Sequence, residues 1–444
     1  MNEKNSAPIR DARTLGIPKM MLLGLQHMFA MFGATVLVPI IVSGYGLPLS
    51  IQTTLLFAGL STLLFHACTK FKVPAFLGSS FAFLGGFAAV ADLDGGKYAA
   101  MTGAEKLPYA LGGVVVAGLL YLVLALLFKV VGPYKVMRYF PPVVTGPIII
   151  LIGLILAPTA VTNASTNWPL ALLAIVTIIA FNIWGKGMLK IIPILLGVVI
   201  PYAVALLTKQ VDFTSVGQAG FVGLQPFVLA KFDVSAILVM APIAIAAMME
   251  HVGDVSAISA TVGENFLEDP GLHRTLMGDG LATALASMFG GPANTTYGEN
   301  TGVLVLSRVY DPRVVRLAGI YAIILSFSPK FAAVINSIPV AVIGGVSFVL
   351  YGMISAVGVR NIVENQVDFT RSRNLLIAAV ILVSGLGFNG TGGLTFVVAN
   401  AHVTLTGLAI AAIAGVALNA ILPGNDFAFG KTASADGSAD LGRY

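Results

Sequence analysis

Two carboxylic acids sit where hydrocarbon should be. Glu250 ends the apolar run VSAILVMAPIAIAAMM, and Glu299 lies in PANTTYGENTGVLVLS, between a Gly/Pro/Asn-rich entry and an apolar exit. A bare carboxylate at the bilayer centre costs about 2.5–3.5 kcal/mol even on the lenient insertion scale, so such groups face a polar cavity and mark a substrate or proton path. An ionised carboxylate accepts N–H donors, and a protonated one donates. Two of them, from separate segments, can grip a flat molecule that alternates N–H and C=O. Burial beside a second carboxylate favours the protonated form, so either acid could take up and release a proton near neutral pH. That is the chemistry of a proton symporter. Lys and Arg stand only near the ends of the apolar segments, so none lies at mid-span to neutralise these glutamates as plain ion pairs.

Other residues could join them. Asp254 follows Glu250 by four positions, so it shares a helical face one turn on. It is a candidate third member of a proton relay, or else a solvated aspartate at the helix end. His251 points about 100° away around the helix, which leaves a structural hydrogen bond and a ligand role both open. Gln26 and His27 form a polar pair in LLGLQHMFAMFGATVLVP, where a membrane histidine often makes an interhelical hydrogen bond. Phe81, Phe83, Tyr297 and Tyr351 could stack on a ring or simply pack.

The elements that position these residues are membrane helices. The chain of 444 residues is 57% hydrophobic and 10% charged, with mean hydropathy +0.92, whereas soluble domains carry about 25% charge. The expected fold is all-α and integral to the membrane. A span takes roughly 20 apolar residues, and about fourteen such segments can be read, near 18–43, 50–69, 74–91, 108–128, 141–161, 168–184, 190–208, 233–257, 274–290, 292–308, 312–331, 337–356, 373–388 and 399–422. None alternates as a β-barrel strand would. The first nineteen residues are polar and basic and the first apolar run is too long for a signal peptide's core. Cys68 is the sole cysteine, so no intrachain disulfide is possible. With an even number of crossings and both termini cytoplasmic, only Lys97, Lys106, Lys209, Lys231 and Lys330 fall outside. All other basic residues fall inside, as the positive-inside rule requires. The net charge of +5 is therefore loop charge, and no nucleic-acid partner is expected.

The weakly apolar stretch 209–231 divides the chain into equal sets of spans. The reading is a cytoplasmic N-terminus at 1–17, a first repeat at 18–210, an extracellular connection at 211–231, a second repeat at 232–422 and a polar cytoplasmic tail at 423–444. An odd number of spans per half makes the second half enter from the opposite side, the condition for an inverted repeat. Pro141 and Gly146 in FPPVVTGPIIILIGL match Pro339 and Gly344 in IPVAVIGGVSFVLYG. The third span of each half, VPAFLGSSFAFLGGFAA and GGPANTTYGENTGVLVLS, opens on poor helix formers at 75–79 and 293–298. Each is expected to be half extended and half helical. Irregular backbone at membrane depth is tolerated only against protein or a water-filled cavity, and paired interrupted spans are the best sequence pointer to a binding site. Helix-start amides near Ser80, Phe81, Gly298 and Glu299 would then be free to donate to ligand carbonyls. No metal-ligand cluster and no Ser-His or paired-Asp motif is present, so no enzyme, metal or catalytic residue is expected, and no cofactor beyond a coupling proton. A channel or anion exchanger on the same inverted plan would want a basic site at the broken spans, which the sequence lacks.

The segments GLQHMFAMFGATVLVP, LGSSFAF, EHVGD and TTYGENTGVLVLSRVYDPRVV resemble the nucleobase–cation symporter-2 (nucleobase–ascorbate transporter) family, from residue 16 to residue 422. The family signature stands here as Glu299, Asn300, Gly302, Ser307 and Arg308, with Ser307 for the usual Thr. The resemblance implies a core domain from spans 1–4 and 8–11, a gate domain from spans 5–7 and 12–14, and a homodimer working by an elevator-like shift. It implies base-binding carboxylates at Glu250 and Glu299, backbone contacts at Phe81 and Gly298 beside Ser80, and Tyr351 as a gate-side neighbour. Asn300, His251, Gln26 and His27 are supporting residues. Proton coupling falls to Glu299, Glu250 and Asp254, the last standing where some members carry His. The implied function is proton-coupled uracil import across the bacterial cytoplasmic membrane. A xanthine or purine permease of the same family is the alternative, although such members more often carry Gln at the position of Glu299.

Overall fold

The computed structural model describes residues 8–398 and 401–425; the Glu299 side chain and most of the polar tail read at 423–444 lie outside the described part. The first half runs α1 (Ile17–Gly44), α2 (Ile51–Cys68), β1 (Leu77–Ser79), α3 (Leu84–Ala91), α4 (Gly103–Val131), α5 (Pro133–Met137), α6 (Pro142–Ser165), α7 (Trp168–Trp184), α8 (Met188–Ile191) and α9 (Pro193–Leu207). After the short α10 (Thr214–Gln218) come α11 (Val234–Met240), α12 (Ile243–Val262), α13 (Leu272–Met288), β2 (Asn294–Thr296), α14 (Glu299–Ser307), α15 (Pro312–Ser326) and α16 (Pro329–Asn336). The chain closes with α17 (Val340–Glu364), α18 (Ser372–Gly390), β3 (Leu394–Val398), β4 (Ala401–Leu405) and α19 (Gly407–Ile421).

Among the described residues, seven helices are long and apolar enough to cross a membrane: α1, α2, α4, α6, α11 with α12, α17 and α18. The helices α7, α9 and α19 are apolar but shorter. Two segments differ from the sequence reading. The apolar stretch 312–331 is broken, because α15 and α16 meet at a bend of 89°. Ser328 caps α16 through the Phe331 amide, with Pro329 at its first turn, and the residue before a proline leaves the helical region. The stretch 399–422 is not one span either. Leu394–Val398 and Ala401–Leu405 pair as the antiparallel strands β3 and β4, and α19 begins only after Thr406, whose hydroxyl caps the Ala409 amide. Apolarity alone merged β-branched strand residues with the helix behind them.

Packing crosses between the halves. α6 lies along α17, α4 along α13, and α2 along α15, while α7 packs on α9 and α18 on α19. The matched Pro–Gly pairs sit at opposite ends of the α6–α17 contact. A methyl on Gly146 would lie 2.4 Å from Ile362 Cγ1, and one on Gly344 would lie 2.2 Å from the Ala164 amide nitrogen. Each glycine starts its helix and presses on the far end of the other, so the two helices run antiparallel and closer than side chains would allow.

Candidate functional site

The site is built on a two-stranded antiparallel pair, with Leu77 opposite Thr296, Gly78 opposite Thr295 and Ser79 opposite Asn294. Flanking bonds continue it, from the Ser80 amide to the Ala293 carbonyl (2.9 Å) and from the Tyr297 amide to the Phe76 carbonyl (2.9 Å). So short a pair cannot stand alone. Two buried threonines clamp it. Thr62 Oγ1 on α2 accepts from the Leu77 amide at 3.0 Å, and Thr283 Oγ1 on α13 accepts from the Asn294 amide at 3.2 Å. The carbonyls of the same two strand residues lie 3.3 and 3.0 Å from those hydroxyls. Tyr297 locks the pair further by donating its hydroxyl to the Ser79 carbonyl at 3.0 Å. It therefore serves the scaffold rather than a stacking surface.

From one end of this pair the chain passes Ser80 and Phe81 into α3; from the other it passes Gly298 into α14. The Ser80 hydroxyl and both polar atoms of the Asn300 carboxamide are buried without a hydrogen-bond partner among the described residues. Ser80 and Asn300 are each only 1% exposed. A buried polar group left unsatisfied costs roughly 1–3 kcal/mol, so these atoms are poised for a ligand or ordered water. The Phe81 ring meets Tyr351 of α17 edge-on, with centroids 5.9 Å apart and planes at 74°.

α12 brings the acids. Asp254 is buried, so it is not a solvated helix-end aspartate. Its Oδ2 accepts from Thr296 Oγ1 at 3.3 Å, and its Oδ1 lies 3.0 Å from where a methyl on Gly298 would stand. A side chain at 298 would thus press on the acid. Glu250 is half-buried one turn earlier on the same face.

His251 turns the other way. Its Nδ1 lies 2.9 Å from Asp279 Oδ2, both side chains being fully buried, and 3.3 Å from Thr296 Oγ1. Asp279, in the α13 sequence LMGDGLATAL, escaped the sequence reading, although an acid inside an apolar segment is the same signal that marked Glu250. His27 is fully buried with neither ring nitrogen hydrogen-bonded among the described residues, so the expected interhelical bond is absent. The bonds from α1 to the strand pair come from Thr35 instead: its carbonyl accepts from Ser79 Oγ at 3.0 Å, and its hydroxyl lies 3.5 Å from the Tyr297 hydroxyl. Gln26 is half-buried.

The structure therefore unites Asp254 with both Thr296 and Gly298, and Phe81 with Tyr351. A family model described as "Permease family" matches residues 18–391. The chain belongs to that permease family. This permease is 42% identical to "Uracil permease" of Bacillus caldolyticus over 94% of each chain. It is 39% identical to "Probable uracil permease" of Haemophilus influenzae over 94% of its own length and 98% of the relative's. Its fold is similar to the transmembrane domain of the cyanobacterial bicarbonate transporter BicA, with a TM-score of 0.58 at 17% identity, covering 87% of this permease and 99% of that chain. It is a multi-pass membrane transporter and not an enzyme.

Proposed function

We propose that this permease is a proton-coupled symporter that imports uracil across the bacterial cytoplasmic membrane by an elevator-type movement. The observation that carries this reading is the unsatisfied buried polar edge at the two helix starts, Ser80 and Asn300, beside the acids of α12. Uracil offers two N–H donors and two carbonyls in one plane. Carboxylates at Glu250 and Glu299 take the N–H groups, amides near Phe81 and Gly298 donate to the carbonyls, and the Phe81–Tyr351 edge closes over the ring. The relatives named uracil permeases favour this substrate over a purine.

The same reading takes about fourteen crossings, counting β1–α3 and β2–α14 as the interrupted spans, in two inverted halves. The packing supports it, because each contact has a counterpart when the halves are exchanged: α4–α13 with α2–α15, α7–α9 with α18–α19, and α6–α17 with itself. The core holds α1–α4 and α11–α15, and the gate holds α6, α7, α9 and α17–α19. Protonation has an electrostatic purpose here. Moving one uncompensated charge through the membrane potential is worth about 2.3 kcal/mol per 100 mV, so a core that moves with its acid neutralised avoids that cost. Asp254, four residues from Glu250 and in contact with the start of α14, extends the proton relay.

The test is radiolabelled uracil uptake in proteoliposomes, with and without an inward proton gradient and with excess unlabelled xanthine. Gradient-driven uptake that xanthine leaves intact is the expected result. Uptake indifferent to the gradient would remove the proton coupling, and strong competition by xanthine would move the substrate to purines.

A further inference from the structure

Resting on the transport reading above, in which the crevice below Glu250 is the cytoplasmic release path, we propose that Asn361 forms a second, transient station for the nucleobase. The crevice has a volume of about 240 Å³. One wall is α12, at Val252, Gly253 and Ser256; the other is Thr145 of α6 with Asn361 and Asn365 of α17. Gly253 lies three residues past Glu250, on the same helical face, so the upper end of the crevice reaches the turn below the acid. A methyl on Gly253 would lie 3.3 Å from Ile149 Cδ1 and 3.6 Å from Asn361 Nδ2. The two walls thus touch at Gly253 and separate below it.

Thr145 Oγ1 donates to Asn361 Oδ1 at 3.4 Å, which leaves the Asn361 Nδ2 donor turned toward α12. A carboxamide presented in this way complements a ring that alternates C=O and N–H. The crevice is also lined by Tyr134, Asn265 and Glu268, in the segments that carry Lys135, Arg138 and the acidic partners of Arg10 and Lys72. On the opposite side of the Phe81–Tyr351 contact the space beside Phe81, Ile152 and Leu408 is about 10 Å³, at most enough for one water. Of these two spaces the wider is therefore the one on the basic face, read as cytoplasmic.

One contact spans the mouth. Tyr134 on α5 donates its hydroxyl to Glu268 Oε1 at 2.5 Å. The loop carrying Glu268 is also tied by ion pairs from Arg10 to Glu264 and from Lys72 to Asp269. Tyr134 is the tie that reaches the chain leading into α6, so it acts as the latch. It is exposed to solvent, so water competes for both partners, as a latch that opens each cycle requires.

The experiment exploits the single native cysteine. In a Cys68→Ser background, Ser256→Cys should react with a membrane-impermeant maleimide in inside-out vesicles and not in right-side-out ones. Adding Tyr134→Phe should raise that rate about threefold, the loss of one weak hydrogen bond. Reaction from the outside, or from neither side in both Ser256→Cys and Asn265→Cys, overturns the release path. These readouts need no substrate, so they stand even where uracil fails as the cargo. For the station, Asn361→Leu should slow uracil exchange about fivefold with equilibrium binding unchanged, the effect of one lost hydrogen bond. Exchange at the parental rate, or a parallel loss of binding, overturns it.

Discussion

At the scale of single residues, the site depends on what is missing as much as on what is present. Gly298 stands in a helical conformation, φ −62° and ψ −28°, so alanine would fit its backbone without strain. The obstacle is the Asp254 carboxylate, 3.0 Å from the new methyl and already engaged by Thr296. Gly298→Ala should therefore leave the protein folded but displace the acid. We expect uracil binding to weaken about tenfold, or about 1.4 kcal/mol, by calorimetry on protein that still elutes as a single species. Gly352→Ala, where a methyl meets nothing within 4 Å, is the matched control. A Gly298→Ala protein with parental affinity would show that Asp254 is not held against the site. The acids were legible in the sequence because a charge inside apolar sequence is conspicuous. The close approach at 298 was not, since it arises from a side chain more than forty positions earlier.

At the scale of elements, the strand pair is held from outside itself. Thr62 and Thr283 replace the neighbouring strands that a larger sheet would supply, each taking the amide of the first residue of its strand. Thr62→Val or Thr283→Val keeps the shape and removes the acceptor, leaving a buried amide unsatisfied. Each should destabilise the protein by about 1–3 kcal/mol, read as a lower thermal unfolding midpoint in detergent, while Thr→Ser at either position retains most of the stability. A Val variant that melts with the parent would show that the clamps are dispensable. Pro74, Gly78 and Ser79 in the first stretch and Pro292, Asn294 and Gly298 in the second announced non-helical backbone, because these residues favour extended or turn conformations. That the two stretches pair with each other was not readable, since nothing local in LGS specifies NTT as its partner. The β3–β4 pair was missed for the opposite reason, its apolar residues having the composition of a helix start.

At the scale of the whole molecule, the halves cannot be separated into independent bodies. α6 needs α17, α4 needs α13, α2 needs α15, and β1 needs β2. A chain cut within 209–231 and co-expressed as two fragments should reassemble and co-purify, whereas either fragment alone should be degraded. A first fragment that accumulates and resists protease by itself would contradict this interdependence. The strand pair also sets a timetable for biogenesis. The ribosome delivers Leu77–Ser79 long before Asn294–Thr296, and at about 5–20 residues per second the delay is about 10–40 s. During that interval the backbone of β1 has no partner strand, a condition the hydrocarbon interior does not permit. The segment carrying β1 therefore cannot settle into lipid when it is made. It must wait in the shelter of the insertion machinery or at the membrane surface until its counterpart emerges, so the candidate site is among the last parts of this protein to enter the membrane.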